Sequence, residues 1–470
     1  MLVRRDRQKE RLDRGLLRLI LVLAVGGLPP ALDTTIVNVA VANLYRSLQA
    51  PVATVQWVTA GYLLAFAMTL PLSGWAFDRM GGKRLWLLGL GAFLAGSALS
   101  GAAWSIQSLI AFRILQGAAA GLLQPTLQTV LARAAGPGRL GRAITVITYI
   151  AVVAPILGPV AGGLILDHLG WRYIFLLNVP IALIALLLAG RFMPEDTARD
   201  RRPLDAVGLL LLSPALAGVT YGLTRLAQAQ GPRAAAVWPL GVGLALLAAF
   251  AVHALRPGQR VAPLLDLRLF RRRAFAVSAS LLFLSGLALY GAMLLLPLYD
   301  QLVRGESALA TGLWLAPQGV GSLLTRWAGG LTDRMGPRPV VLGALLTAAA
   351  GTFPFAVAGS ATSMWVLALA LVVRGAGLGA ANIAIIAGAY QGLAPGEVPH
   401  ASSATRILQQ VGGAFGTAVL AAILAGGADL GPTRAFHAAF GWSLAFTLLA
   451  LALAFALPPI GRLELAAVRS

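Results

Sequence analysis

Apolar residues form fourteen stretches of about 20 residues between Leu16 and Pro458, and polar residues concentrate in the gaps between them. About 20 helical residues cross a bilayer core of roughly 30 Å, so each stretch has the length of a transmembrane helix. One such stretch also suits a buried helix of a soluble protein, but fourteen in series do not. A membrane barrel would instead give alternating segments of about 10 residues. The pattern therefore predicts an all-α integral membrane protein.

Two polar interruptions, residues 193–204 and 256–273, are longer than the other gaps and divide the predicted spans into six, two and six. The predicted spans are 16–42, 52–77, 85–104, 106–134, 143–166, 172–192, 205–226, 235–255, 274–300, 308–332, 340–359, 363–391, 402–426 and 436–457. The predicted units are a basic arm (1–15), an N-terminal six-helix bundle (16–192), a linker (193–204), a two-helix insertion (205–255), a linker (256–273), a C-terminal six-helix bundle (274–457) and a tail (458–470).

The composition agrees with lipid as the solvent, since 58% of the residues are hydrophobic and 11% are charged. The net charge of +20 lies mainly in the N-terminal arm and in alternate loops, and the intervening loops carry scattered single charges. This is the positive-inside pattern, so we expect both termini on the cytoplasmic side of the cell membrane. The same distribution argues against nucleic acid as a partner.

Several classes of site are excluded by what the sequence lacks. It contains no cysteine, which excludes disulfides, thiolate metal sites and cysteine nucleophiles. The four histidines have no metal-ligand spacing, and no nucleotide-binding motif of the Gly-x-x-x-x-Gly-Lys-Ser/Thr kind is present. We therefore expect no metal, no other cofactor and no direct use of ATP.

The first and last groups of six spans are related by an internal repeat. Asp78–Gly81 reads Asp-Arg-Met-Gly, and the same four residues recur 255 positions later at Asp333–Gly336, in the equivalent inner loop. An arginine also lies within the fourth span of each group, at Arg113 and at Arg374. Duplicated helix bundles with a site at their interface are typical of secondary transporters.

Charged residues within the spans are few, and such residues persist mainly where they pair or line a cavity. Asp33 is the only acid well inside a span; by helical rise it lies about 25 Å from the inner end, at a depth similar to that of Arg113. Two readings stay open for this pair: a proton-exchanging site or a static ion pair. Asp300, at the outer end of the ninth span, is a second candidate for proton coupling.

Two further segments are candidates for conformational control. The inner loop of the first repeat could latch one bundle to the other, or could only set the topology; its residues are Gly74, Asp78, Arg79, Gly81, Lys83 and Arg84, with Asp333 and Arg334 in the second repeat. Arg374 is also a candidate for conformational control. The fifth span contains Gly158, Pro159, Gly162 and Gly163, which suit a flexing helix and equally a close helix contact.

Polar and aromatic residues within the spans are candidates for lining a substrate cavity, although each also suits ordinary packing. They are Asn38, Gln56, Trp57, Tyr62, Gln116, Tyr149, Tyr290, Gln318 and Asn382.

These motifs resemble those of the major facilitator superfamily. The inner loop matches at Gly74, Asp78, Arg79, Gly81, Lys83 and Arg84, with Gly82 replacing one basic position; the fourth span matches at Arg113, Gln116 and Gly117, and the fifth at Gly158, Pro159, Gly162 and Gly163. The segments 33–40, 56–57, 171–180 and 263–270 resemble the fourteen-span drug:proton antiporters of the EmrB/QacA type.

The resemblance implies a proton-coupled antiporter that exports amphipathic organic compounds by alternating access of two bundles. Its implied partners are protons, small amphipathic molecules and the lipid bilayer, without a protein partner. Relatives often carry acids in the C-terminal bundle, but the span 402–426 has none, so coupling rests on Asp33 with Asp300 as a second site. The alternatives are a lipid or lipophilic-metabolite exporter on the same fold, or a membrane-embedded transferase.

Overall fold

A computed structural model of the chain describes residues 14–49, 52–136, 139–145, 161–162, 164–166, 168–195, 203–227, 234–256, 263–306, 308–394, 396–427 and 431–459. Apart from one short 3-10 turn (Leu267–Arg271), the regular elements of the described residues are α-helices. Those with defined bounds are α1 (Arg14–Leu48), α2 (Val52–Thr69), α3 (Leu72–Met80), α4 (Gly82–Gly101), α5 (Ile106–Ala135), α6 (Arg172–Leu176), α7 (Asn178–Phe192), α8 (Ala206–Ala227), α9 (Ala234–Leu255), α10 (Arg273–Leu302), α11 (Ala308–Trp314), α12 (Ala316–Leu323), α13 (Arg326–Met335), α14 (Pro337–Val357), α15 (Met364–Ala389), α16 (Val398–Gly426) and α17 (Pro432–Ala454).

Eleven of the described helices are long and apolar enough to cross a membrane, and a bent pair would make twelve. The prediction of an all-α membrane protein is therefore confirmed. The count of fourteen spans stays a prediction, because most of the predicted fifth span (143–166) lies outside the described residues and the predicted tenth span (308–332) is divided into short helices.

Three predicted spans differ in detail from the structure. The first was expected to end at residue 42, but α1 continues to Leu48. The second was expected as one helix over 52–77, but it is divided into α2 and α3, which are bent by 58° at Pro71. Proline lacks the N–H that would continue the helical bonding, so the chain turns there. The predicted span 308–332 is likewise divided into α11, α12 and α13, with Pro317 in the first turn of α12.

The helices pack in two groups. Helices α1 to α7 pack mainly on one another, around buried side chains such as Trp86 and Phe93, and are called the N-terminal group below. Helices α10 to α17, the C-terminal group, also contain a cluster of aromatic rings that includes Tyr299, Phe355 and Phe440. The end of the molecule that carries Asp78–Gly81 and Asp333–Gly336 is called the motif end.

Helix α8 touches both groups, and α9 packs against α8. On the side of the N-terminal group, Ser213 of α8 donates a hydrogen bond of 2.6 Å to the carbonyl oxygen of Met68. On the other side, Val219 and Leu223 of α8 pack against Ala418 of α16. Asp205 caps α8 by accepting from the backbone N–H of Gly208, which satisfies a free helix N–H. The first helix of the predicted insertion therefore lies against both groups.

Glycines permit the closest helix contacts inside each group. A Cβ atom on Gly117 of α5 would overlap the carbonyl of Tyr62 on α2, and a Cβ atom on Gly375 of α15 would overlap the carbonyl of Gln318 on α12. A carbonyl in a neighbouring helix cannot rotate away as a side chain can. These two positions therefore need a residue without a Cβ atom.

We expect Gly375→Ala to lower the thermal stability of the purified protein, because α12 and α15 must separate to admit the methyl group. Overpacking of this kind costs about 1–3 kcal/mol. The matched control is Gly343→Ala on α14, where a Cβ atom would meet nothing within 4 Å. Melting followed by size-exclusion chromatography in detergent compares the two variants, and equal melting temperatures would contradict the packing argument.

Candidate functional site

A buried ion pair lies within the N-terminal group. The Arg113 guanidinium on α5 donates from Nη1 to Oδ2 of Asp33 on α1, and both side chains are almost completely buried, at 1% and 0% exposure. A single charge in apolar surroundings is costly, whereas a hydrogen-bonded pair is neutral overall. The structure therefore brings together the two charged residues that the sequence placed at similar depth.

Arg113 joins several helices at once. Its Nε donates to the carbonyl oxygen of Val58 on α2 at 3.1 Å, and its Nη1 also donates to Oε1 of Gln116 at 3.0 Å. The guanidinium carbon lies 4.2 Å from the ring centre of Tyr62, within the range of a cation–π contact. These contacts hold the guanidinium beside Asp33.

The predicted cavity residue Gln116 supports this arginine. Its Nε2 donates to the hydroxyl of Ser97 at 2.6 Å, and its Oε1 accepts from the hydroxyl of Ser100 at 3.1 Å. Both serines belong to α4, so the amide links α4 to α5 and has a fixed orientation. Gln116 and Tyr62, both proposed from the sequence as cavity residues, thus surround the ion pair.

Asn178 is a member of this cluster that the sequence did not assign to the site. It is the first residue of α7, and its Nδ2 donates to Oδ1 of Asp33 at 3.2 Å. Its Oδ1 is buried and has no hydrogen-bond partner among the described residues, and the same holds for the Tyr62 hydroxyl. The Trp171–Pro180 motif marked Asn178 as a feature of the family, but no sequence signal indicated that α7 turns it toward Asp33.

The C-terminal group contains a buried arginine without an acidic partner. Arg374 on α15 is 2% exposed; it donates from Nη1 to Oε1 of Gln318 at 2.7 Å and from Nη2 to the carbonyl oxygen of Ala288 at 3.1 Å. Within the described residues, no carboxylate pairs with it. The proposed cavity residue Gln318 therefore binds Arg374, and Arg374 lies inside the C-terminal group, away from the motif end.

Asp300 occupies a separate site. It is completely buried at the end of α10, and its Oδ1 lies 3.4 Å from Nε of Arg304, one helical turn further on. Arg304 also donates to the carbonyl oxygen of Thr362 at 2.9 Å. Within the described residues, Asp300 and Asp33 share no contact or partner, so the two candidates for proton coupling are not parts of one cluster.

At the motif end, Asp78 contacts both groups. Oδ2 of Asp78 on α3 lies 3.2 Å from Nε2 of His400 on α16, and Oδ1 lies 3.7 Å from Arg133 on α5. Nδ1 of His400 lies 3.3 Å from the carbonyl oxygen of Leu264 in the second linker. Both partners of the imidazole are hydrogen-bond acceptors, so both bonds form only when both ring nitrogens carry a proton. His400 was not among the functional residues predicted from the sequence.

Asp333, the repeat counterpart of Asp78, also crosses between the groups. Its carboxylate accepts from the backbone N–H of Gly141 at 3.0 Å and from that of Arg142 at 3.3 Å. It lies at the motif end, beyond the predicted span. Burial raises the pKa of the Asp333 carboxyl to about 6, against the effect of these two backbone donors and of the Arg142 charge. Below about pH 6 the Asp333 carboxyl is therefore mostly protonated, and the neutral form suits this buried position better than the carboxylate does.

The loop glycines of the two repeats adopt the same backbone form. Gly81 has φ 79° and Gly336 has φ 82°, in the region that favours glycine, and each directly follows its helix. Arg79 lies over the ring of Trp75, whereas Lys83 is half-buried and Arg84 and Arg334 are exposed. The repeat seen in the sequence is therefore a structural repeat.

Further hydrogen bonds join the groups close to the motif end, and three of them are the shortest. The hydroxyls of Ser73 and Ser403 are 2.8 Å apart, those of Thr129 and Ser402 are 2.7 Å apart, and the Tyr390 hydroxyl donates to Gln128 at 2.9 Å. The hydrogen bonds and ion pairs that join the described parts of the two groups thus concentrate at one end.

The remaining candidates from the sequence have mixed positions. Trp57 stacks on Tyr221 of α8, with ring centres 5.8 Å apart, and Tyr290 and Asn382 are half-buried in the C-terminal group. Gly74 lies beside His400. Gly162 falls in a short helical segment at 161–162. The candidates outside the described residues are Tyr149, Gly158, Pro159 and Gly163, together with the side chains of Asn38 and Gln56.

Comparisons with known proteins agree on the family. The sequence profile of the Major Facilitator Superfamily matches residues 23–417. The multidrug resistance protein B homolog of Mycobacterium tuberculosis is 39% identical over 420 residues, which cover 88% of this chain and 77% of the relative. The tetracenomycin C resistance and export protein of Streptomyces glaucescens is 33% identical over 419 residues, which cover 86% of this chain and 75% of the relative.

A solved structure gives the same fold. The proton:xylose symporter XylE, bound to 6-bromo-6-deoxy-D-glucose, aligns with a TM-score of 0.67 over 94% of this chain and 96% of its own. Its sequence identity is 16%, so this similarity concerns the fold alone.

We expect Arg113→Leu to destabilise the protein by about 3–5 kcal/mol, because it leaves the Asp33 carboxylate buried without its cation. The double variant Arg113→Leu with Asp33→Asn removes both charges and should recover more than half of that loss. Unfolding by a denaturing detergent, followed by circular dichroism, gives both stabilities. If the double variant is no more stable than the single one, the two charges do not stabilise each other.

Proposed function

The chain belongs to the Major Facilitator Superfamily, and on that premise we propose that it is a proton-coupled antiporter that exports amphipathic organic compounds across the cytoplasmic membrane. Family membership makes the chain a membrane transporter and not an enzyme. The names of the two relatives, one for multidrug resistance and one for resistance to and export of tetracenomycin C, support drug-like compounds as substrates.

The observation that carries the proposal is the buried Asp33–Arg113 pair. A carboxylate in such a place can take up one proton, and this uptake changes the charge of the cluster from neutral to positive. The unpaired guanidinium is then costly in apolar surroundings, so protonation favours a rearrangement that hydrates Arg113. Proton binding at Asp33 therefore supplies a differential free energy between two conformations, which is what coupling requires.

The contacts at the motif end support alternating access. We place this end on the cytoplasmic side, because the basic loops predict that orientation. In the arrangement described, Asp78–His400 and Asp333–Gly141 join the two groups at that end. They would close the cytoplasmic side while the outer side is accessible. Transport then requires these contacts to break as the two predicted six-helix bundles, 16–192 and 274–457, rock about a central cavity.

We expect Asp33→Asn to abolish export driven by a pH gradient while the protein stays folded. Asparagine resembles the protonated carboxyl in shape and hydrogen bonding, but it cannot exchange the proton. Uphill transport of amphipathic dyes in proteoliposomes with an imposed pH gradient measures this. The matched control is Asp300→Asn, which removes a second completely buried acid at the end of α10.

The two variants separate the alternatives. Loss of uphill transport in Asp33→Asn alone assigns coupling to Asp33, and loss in both assigns a second site to Asp300. Uphill transport by Asp33→Asn at the wild-type rate would contradict the proposed coupling site. Exchange of dye without a gradient shows whether the inactive variants still bind and move substrate.

We expect Asp78→Asn and His400→Ala each to shift the protein toward an open motif end, because only the closed arrangement loses a contact. A loss of about 1.4 kcal/mol changes the ratio of the two states tenfold. Spin labels at Leu88 and Ala394, which are exposed near this end, report the distance between the groups. Glu306→Gln, at the opposite end, is the control. An unchanged distance distribution in both variants would leave Asp78 as a topology signal only.

A further inference from the structure

We propose that Asn178 is a positioning residue that bonds Asp33 in both of its protonation states, by presenting its amide nitrogen to the carboxylate and its amide oxygen to the carboxylic acid. This inference rests on the proton exchange at Asp33 proposed above. It assigns a specific task to a side chain of α7 that contacts the carboxyl group directly.

The two oxygens of Asp33 have different partners. Oδ2 accepts from the guanidinium of Arg113, and Oδ1 accepts from Nδ2 of Asn178 at 3.2 Å. A guanidinium is always charged and has only donors, so it keeps its hold on an oxygen that is an acceptor. An incoming proton therefore binds Oδ1, the oxygen that faces Asn178.

Protonation of Oδ1 creates a conflict in the present arrangement. The new O–H group is a donor, and it faces the amide nitrogen of Asn178, which is also a donor. Two donors that face each other in a buried place leave the hydrogen unpaired, which is unfavourable. Either the proton does not bind there, or the amide must change its orientation.

Asn178 has the means to make that change. Its own oxygen is buried and has no hydrogen-bond partner among the described residues. A half-turn of the amide group would bring this oxygen to the O–H of Asp33. Among the described residues, the bond that this turn breaks is the one from Nδ2 to Asp33, which protonation has already made unusable. Buried amides that are purely structural have both atoms paired, and the unpaired oxygen of Asn178 is an exception to that pattern.

The two orientations explain why an amide, and not a stronger donor, lies at this place. A lysine or arginine would favour the ionised carboxylate alone, whereas an apolar residue would support neither state. Asparagine offers a donor and an acceptor of similar size on one rotating group. Asp33 thus keeps one hydrogen bond with α7 in both states: it accepts from the amide nitrogen when ionised and donates to the amide oxygen when protonated.

Infrared difference spectroscopy of the full-length protein in lipid, recorded between acidic and alkaline pH, tests this inference. Asparagine labelled with carbon-13 at the side-chain carbonyl marks four residues: Asn38, Asn43, Asn178 and Asn382. On acidification we expect one labelled amide band to move to lower frequency, because a free carbonyl becomes hydrogen-bonded. A carboxylic-acid band from Asp33 should rise over the same pH range.

Two variants assign these bands. Asn178→Leu, which is close to the same size, should remove the shifting amide band. Asp33→Leu should remove the acid band and the amide shift together; leucine is used there because a new asparagine would carry the label. If Asn178→Leu does not fold, the labelled wild type and Asp33→Leu still provide the comparison.

The outcomes distinguish this inference from the function on which it rests. An acid band that disappears in Asp33→Leu, together with an amide shift that disappears in both variants, supports the inference. The same acid band without any amide shift overturns the inference and leaves proton exchange at Asp33 intact. The absence of an Asp33 acid band overturns both.

Discussion

The cost of placing a charge in apolar surroundings governs how this molecule is built. Asp33 is kept inside the helix group by one guanidinium, and that guanidinium in turn needs partners for its other donors. Val58 and Gln116 supply them, and Gln116 is held by two serines of α4. One buried carboxylate therefore fixes the mutual positions of α1, α2, α4 and α5, so the packing of the first group and its chemistry have a common origin.

The C-terminal group meets the same constraint in another way. Arg374 occupies the equivalent helix of the repeat, but neutral acceptors, Gln318 and the carbonyl of Ala288, surround it. Among the described residues no carboxylate pairs with Arg374, and its hydrogen bonds anchor α12 and α10 to α15. The two halves therefore differ at the equivalent helix, where one has an arginine paired with a carboxylate and the other has an arginine with neutral partners.

The sequence predicted much of this and missed what depends on helix rotation. The lengths of the apolar stretches predicted most of the helices. The helical rise was enough to predict that Asp33 and Arg113 lie at a similar depth, since depth along a span follows directly from residue number. When a helix is apolar on all sides, the order of its residues does not indicate which side chains point toward which neighbouring helix. Asn178 and His400 were missed for that reason: one depends on the rotation of α7, the other on a contact between distant segments.

The position of α8 has a mechanical consequence. It is joined to α2 by a hydrogen bond from Ser213 to a backbone carbonyl, which has a strict geometry, whereas it meets α16 through apolar side chains at Val219 and Leu223, which tolerate sliding. When the two groups move apart, α8 should travel with α2 and slip along α16. In the proposed transport cycle, α8 would then move with the first group, and its apolar contact with α16 would be the surface along which the two groups slide.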